Sequence, residues 1–330
     1  MTQPRSYRTV PGRGNLTICF AHPAYRMAER FAARETGIRH FQVRNLDELA
    51  ARLAEAQVLA VSGLWRNPLI AAAPQLAFIQ SISAGVDQYD RSMLKDAGIR
   101  LASAQGANER AVAEHAIALV LALARKLPMA RDNQAARRWR GLIAGIGQRE
   151  DELGGKTLVI VGMGRIGSRL ATLARAFDMR VIGVKRDAAR GGEVADAVVP
   201  TERLHEALGQ ADYVVLTCPL TDETRHLLDA GAFAAMKPSA SLINVARGAV
   251  VEEAALVQAL QGGRLAAAAL DCFTEEPLPQ TSALWALNNL LITPHSAGET
   301  HRYEDNVIDL LLENLERQWS GDPSLKNAIV

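Results

Sequence analysis

Arg247, Glu276 and His295 are the side chains whose types and settings can do chemistry together. Arg247 ends the stretch Leu242-Ile243-Asn244-Val245-Ala246-Arg247, which has strand character. Glu276 lies in Asp271-Cys272-Phe273-Thr274-Glu275-Glu276-Pro277 and His295 in Thr293-Pro294-His295-Ser296-Ala297-Gly298, each just after another such stretch. In an open parallel sheet ligands bind beyond the carboxyl ends of the strands, so the three are expected at one edge. Hydride transfer to a 2-oxo acid needs a cation for the carboxylate and carbonyl, an acid to protonate the new alkoxide, and something to keep that acid charged. A guanidinium offers a bidentate fork. An imidazole offers a proton near neutral pH. A carboxylate beside an imidazole raises its pKa and holds its orientation. Taken singly, the three have plainer readings: a surface salt bridge, a loop acid and a helix cap.

A nucleotide site is written further upstream. Thr157-Leu158-Val159-Ile160-Val161 runs straight into Gly162-Met163-Gly164-Arg165-Ile166-Gly167, and residues 168–177 read as an amphipathic helix. This is the order in which a dinucleotide pyrophosphate sits on a helix N-terminus. Gly162 allows the tight turn, Gly164 the approach of backbone to phosphate, and Gly167 the packing of helix on strand. The glycine spacing alone is weak in a chain with 25 glycines; the flanking strand and helix give it weight. NAD-binding folds place an acidic residue roughly 20 positions on, at the end of the second strand. Here Lys185 stands 18 positions after Gly167 (185 − 167), followed by Arg186. Two cations suit a 2′-phosphate. NADP(H) is therefore expected over NAD(H), with Asp187 the residue through which NAD(H) stays possible.

Composition narrows the classes. The 330 residues are 48% hydrophobic, enough for two cores. Lys and Arg number 37 against 36 Asp and Glu, so no long-range field draws nucleic acid or an anionic membrane. Three widely spaced cysteines suit a reducing cytoplasm and form no metal-ligand pattern; no metal is expected. No apolar run reaches transmembrane length. The polar N-terminus lacks the hydrophobic stretch of a signal peptide, and residues 1–14 are expected as a loose arm.

Two alternations of strand and helix surround these motifs, which argues for α/β architecture with parallel sheets. In the first, strands are expected at 16–20, 40–43, 57–61, 77–82 and 99–101. Helices are expected at 25–35, 46–56 and 88–97. A long apolar helix over 108–126, bounded by Pro128, leads into a connecting arm over 129–151. After the glycine turn come strands at 181–184, 213–217, 241–245, 266–270 and 290–293. A final helix over 302–319 presents Val307, Ile308, Leu310, Leu311, Leu312 and Leu315, a face that needs another surface; the first domain is the expected one. The fold class is thus two doubly wound parallel-sheet domains. A Rossmann domain (105–298) is inserted in a discontinuous, flavodoxin-like substrate domain (1–104 and 299–330), with a cleft between.

Over roughly residues 16–320 the chain resembles the D-isomer-specific 2-hydroxyacid dehydrogenases, and in character their NADPH-dependent glyoxylate/hydroxypyruvate reductases. The blocks that carry the resemblance stand in order: SAGVDQYD (83–90), VAEHAIALVLALAR (112–125), GMGRIG (162–167), CPLTDETRHL (218–227), MKPSASLINVARG (236–248), LDCFTEEPLP (270–279) and TPHSAG (293–298). The resemblance implies that Arg247 binds the substrate carboxylate and carbonyl, that His295 is the general acid/base and that Glu276 raises its pKa. It further implies cofactor contacts from Cys218, Pro219, Thr224 and Ala246, and from Asp271, which could alternatively be a capping acid. Cys272 replaces the usual aliphatic residue. The family's phosphite dehydrogenases carry lysine where Ala84 stands, and its formate dehydrogenases carry glutamine where Glu276 stands; neither departure occurs here.

Small residues in the turn Ser83-Ala84-Gly85 expose backbone N–H groups, a nest for a carboxylate. The resemblance assigns the amides of Ala84 and Gly85 to the substrate, although a plain strand-ending turn reads the same way. Pocket walls are expected from Leu64, Trp65 and Trp139, the last from a second subunit. A homodimer is expected through 112–127 and the arm. No basic residue obviously placed for a phosphate stands by the nest, Arg66 being the nearest caution, so small 2-oxo or 2-hydroxy acids are the expected ligands. His115, beside Glu114 on the apolar helix, reads as structural. The alternative function is a cofactor-binding regulator such as the family's co-repressors.

Overall fold

The computed structural model describes residues 7–188, 194–322 and 324–330. The chain forms two compact units, one running to Asn108 and resuming at Thr300, the other spanning Glu109–Glu299.

In the first unit β1 (Thr17–Ala21), β2 (Arg39–Val43), β3 (Val58–Val61), β4 (Phe78–Ser81) and β5 (Arg100–Ala102) form one parallel sheet in the order β2-β1-β3-β4-β5. That is the flavodoxin-like order. β3 and β4 are buried at every position, β3 through four apolar side chains and β4 through Phe78 and Ile79 beside the polar Gln80 and Ser81. One cover is the helix Tyr303–Trp319, whose Val307, Ile308, Leu311 and Leu315 are wholly buried among Leu16, Ile18 and Phe78. Asn314 on the same helix is buried and bonds Gln80 of β4. The C-terminal tail then bridges β5 antiparallel at Ala102 and Ala328.

Residues 7–14 are not loose. Val10 is buried, Arg8 donates to the carbonyls of Ala73 and Leu76, and Trp319 donates to Pro11. The polar composition of this segment hid the carbonyls its arginine satisfies. Residues 1–6 of the expected arm lie outside the described residues.

The second unit holds β6 (Thr157–Val161), β7 (Arg180–Val184), β8 (Ala197–Val199), β9 (Tyr213–Leu216), β10 (Ser241–Asn244), β11 (Ala267–Leu270) and β12 (Leu290–Ile292). Their order, β12-β11-β10-β9-β6-β7-β8, is wholly parallel and Rossmann-like. The strand order reverses between β6 and β9, the place where such sheets bind ligands. β8 has no counterpart in the sequence reading: it is three residues long and only half-buried, too short to show a period.

Two boundaries differ from expectation. The helix after the glycine turn spans Arg165–Arg175, so it begins inside the motif with Gly164 as its N-cap. The second is the start of the arm, where helical structure resumes at Pro128. Lys126 turns to φ 50°, ending the helix Glu109–Ala124, and Pro128 opens a second helix, Leu127–Ala135. A proline has no N–H to lose in a first turn, so it starts helices as readily as it stops them. No described helix is long and apolar enough to cross a membrane.

Candidate active site

The glycine turn is shaped by two forbidden side chains and one open position. A Cβ on Gly162, at φ 104°, would lie 2.6 Å from the Cys218 nitrogen, and one on Gly167 would lie 2.2 Å from the Gly162 carbonyl oxygen. Thr217 Oγ1 donates to that same carbonyl at 2.6 Å, so the loop after β9 rests directly on the turn. A Cβ on Gly164 meets nothing within 4 Å. Ser168 N makes the first helical bond to Gly164 O, which leaves the N–H groups of Arg165, Ile166 and Gly167 ahead of the ladder. The turn therefore fits a pyrophosphate: tight where helix meets strand, open where phosphate would approach. The Met163 side chain is buried over Gly183 of β7.

Beyond Cys218 and Pro219 the loop closes on itself. Thr224 Oγ1 donates to Pro219 O at 2.7 Å and accepts from Thr221 N at 2.7 Å. Lys185 follows β7, its backbone donating to Val199 of β8. Arg186 extends into solvent, 79% exposed, with Nη1 3.3 Å from Glu223 Oε2.

Arg247, Glu276 and His295 stand on the loops after β10, β11 and β12. Asn244, buried at the end of β10, forms the Arg247 turn: its Oδ1 accepts from Ala246 N at 3.0 Å and its Nδ2 donates to Arg247 O at 2.9 Å. A Cβ on Gly248 would lie 1.9 Å from the carbonyl carbon of Phe273, so the Arg247 loop and the Glu276 loop touch backbone to backbone. Glu276 divides its oxygens. Oε1 accepts from Phe273 N at 2.8 Å, and Oε2 lies 2.7 Å from His295 Nδ1. With Nδ1 engaged, the imidazole presents Nε2 on a ring whose side chain is 47% exposed. Burial pushes the Cys272 thiol well above its ordinary range; Glu276 adds to this and Arg247 opposes it, so both charges stand around that sulfur.

Asp271, which ends the reach of β11, is buried and grips the His295 loop. Oδ1 accepts from Thr293 Oγ1 at 2.6 Å and from Ser296 N at 2.9 Å, while Oδ2 accepts from Ala297 N at 3.0 Å. His115 approaches the same cluster, its Nε2 3.1 Å from Thr293 Oγ1. Asn244, Thr293 and Gly248 were not singled out in the sequence, although each lies within a strand-end block beside a residue that was.

In the first unit, Ser83-Ala84-Gly85 follows β4 and is half-buried. Ser83 Oγ donates to Gly85 O at 2.8 Å and lies 2.7 Å from Ser62 Oγ, which Gln88 also contacts. Among the described residues no acceptor meets the N–H of Ala84 or Gly85. Leu64 is half-buried, but Trp65 is not a pocket wall. It is 1% exposed, packs 5.7 Å from Tyr89 within the core, and donates Nε1 to Asn67. The large apolar area of the indole is buried in the core instead. Arg66 folds back on the carbonyls of Gly63 and Trp65. Trp139 is 97% exposed.

The chain is similar to known proteins. Residues 117–297 match the family described as D-isomer specific 2-hydroxyacid dehydrogenase, NAD binding domain. A glyoxylate reductase of Aeropyrum pernix is 37% identical over 282 residues, covering 84% of each chain. A D-3-phosphoglycerate dehydrogenase of Methanocaldococcus jannaschii is 34% identical over 84% of this chain, which spans 52% of that protein. The solved structure of an NADPH-dependent glyoxylate/hydroxypyruvate reductase from Sinorhizobium meliloti, in complex with NADP and malonate, superposes with a TM-score of 0.80. It is 28% identical, over 96% of this chain and 97% of that one. With two doubly wound sheets, a glycine turn at the strand-order reversal and a match over more than half its length, the chain belongs to the D-isomer-specific 2-hydroxyacid dehydrogenase family.

Proposed function

We propose that the protein reduces small unphosphorylated 2-oxo acids, glyoxylate or hydroxypyruvate among them, to D-2-hydroxy acids, with NADPH preferred over NADH. The observation that carries the reading is the 2.7 Å bond between Glu276 Oε2 and His295 Nδ1, which engages Nδ1 and supports Nε2 as the nitrogen offered to a ligand.

Bound through the glycine turn and the loop 218–224, the dihydronicotinamide would supply a hydride to the carbonyl carbon. The chain's own residues do the rest. Arg247 holds the carboxylate and carbonyl oxygen with its guanidinium fork. His295 gives its Nε2 proton to that oxygen as the carbonyl π pair moves onto it, leaving a hydroxyl and a neutral imidazole. Glu276 holds the ring and balances its charge. In the discontinuous substrate domain, the free N–H groups of Ala84 and Gly85 take the carboxylate and Leu64 lines the pocket. Asp271 acts by fixing the His295 loop, since its oxygens already serve Thr293, Ser296 and Ala297. Ala246 borders the nicotinamide end.

Lys185 and Arg186 take the 2′-phosphate. The exposed Trp139, Leu142 and Ile146 of the arm point to a homodimer in which Trp139 reaches the partner's site. Free, buried cysteines suit the cytoplasm. The test is a panel of 2-oxo acids assayed with both cofactors. Turnover of NADPH with glyoxylate supports the reading; no turnover with either cofactor across the panel overturns it in favour of a cofactor-binding regulator.

A further inference from the structure

One buried carboxylate holds the chain on both sides of His295. Asp271 grips Thr293, two positions before it, and the backbone N–H groups of Ser296 and Ala297, one and two positions after it. Between these anchors His295 stands at φ 53°, a left-handed backbone that is unfavourable for a residue with a Cβ. Such a conformation persists where its surroundings over-determine it.

The proton count at Thr293 identifies one more participant. A carboxylate only accepts, so the Thr293 hydroxyl gives its single proton to Asp271 Oδ1 and keeps only lone pairs for other neighbours. His115 Nε2, 3.1 Å away, must then carry a proton and donate it. The same nitrogen is 3.6 Å from Asp271 Oδ1, so its N–H also lies toward the carboxylate charge. His115 is part of the helix Glu109–Ala124, which packs against the helix Arg165–Arg175 and against β10 and β11. The His295 loop is thereby tied to a rigid element rather than to another loop.

We propose that His115 is a positioning residue for His295: its Nε2–H bond orients the Thr293 hydroxyl onto Asp271 and so holds the loop in the geometry that proton transfer needs. The proposal rests on reading His295 as the proton donor. Losing the bond leaves the loop intact but lets it shift, and misplacing a reacting group by about 1 Å can cost up to about a hundredfold in rate.

The experiment compares His115→Phe, His115→Gln, Thr293→Val and the pair His115→Phe/Thr293→Val in the full-length protein. Each is assayed with NADPH and glyoxylate, and each is examined by ring-nitrogen NMR of ¹⁵N-histidine-labelled protein without substrate. The expected result is a fall in kcat of about tenfold for His115→Phe and for Thr293→Val, with KM for NADPH held within about twofold. The pair should be no slower than Thr293→Val alone, since the His115–Thr293 bond is already lost in that variant. Gln, whose amide nitrogen can reach where Nε2 lies, should restore most of the rate. NMR should show the proton on Nε2 of His115, and the His295 ring signals should move in both single variants. If His115→Phe does not fold, Thr293→Val and His115→Gln carry the comparison. A proton confined to Nδ1 of His115, unmoved His295 signals, or losses that multiply in the pair would overturn the proposal. Inactivity of the unaltered protein would instead overturn the function proposed above, and the NMR readouts would still decide the role of His115.

Discussion

Glu276 joins two loops with one carboxylate: Oε2 lies 2.7 Å from His295 Nδ1 while Oε1 accepts the Phe273 N–H at 2.8 Å. Both contacts need an acceptor. In Glu276→Gln one of them must face an amide NH₂ instead, so either the turn or the imidazole loses its hold. The expected outcome is a kcat for 2-oxo acid reduction lowered by about tenfold or more, with the protein still folded. Steady-state kinetics beside a thermal melt checks it, and a kcat within about twofold of the parent would count against the assignment.

The glycines of the turn should separate into two groups. Gly162→Ala and Gly167→Ala place a Cβ 2.6 Å and 2.2 Å from backbone atoms, and Gly248→Ala places one 1.9 Å from Phe273. Each should destabilise the ligand-free protein by about 1–3 kcal/mol or more, read as a lowered melting midpoint. Gly164→Ala meets open space. Its ligand-free melt should match the parent while its affinity for the cofactor falls, because the methyl occupies room that the phosphates use. A normal affinity in Gly164→Ala would place the pyrophosphate elsewhere.

Thiol chemistry gives a pH test. Burial pushes the Cys218 thiol up to about 11 and the Cys19 thiol up to about 12, and Cys272 higher still. At pH 8 all three should be neutral and inert to iodoacetamide in the native protein, and labelled readily in guanidinium chloride. Because the unfolded chain ionises its thiols from about pH 8.5 while the folded chain keeps them neutral, stability should decline as pH rises from there toward about 11. Mass spectrometry of labelled protein reads the first outcome and denaturant melts against pH the second; labelling of native protein at pH 8 would contradict both.

What could be read from the sequence follows physical rules about range. Each expected strand stands within a residue of its expected ends, because buried parallel strands are short apolar runs bracketed by turns. Arg247, Glu276 and His295 were legible because each follows such a run directly. Asp271 stands out for its place at a strand end, but the three groups that donate to it lie in a loop more than 20 residues away, a contact no local pattern encodes. The same holds for His115 and Thr293, separated by 178 positions. Trp65 and the start of the arm differ from expectation for the opposite reason: their local chemistry is legible, yet it permits two outcomes, and packing chooses between them.

Arg186 stands 79% exposed and paired with Glu223 at 3.3 Å, free enough to turn toward a 2′-phosphate. Arg186→Ala should lower kcat/KM for NADPH by about tenfold and leave that for NADH little changed. Comparing both cofactors with one 2-oxo acid decides it. A parent protein that prefers NADH would refute the cofactor assignment.

The central claim is that His295 delivers the proton as a 2-oxo acid is reduced. Its most direct test is the single-turnover rate of NADPH oxidation by glyoxylate in His295→Gln, with cofactor affinity measured on the same protein. The account predicts a rate lower by about two orders of magnitude or more, in line with loss of a general acid, and an NADPH affinity close to that of the parent. Reduction at a near-normal rate in His295→Gln would contradict it.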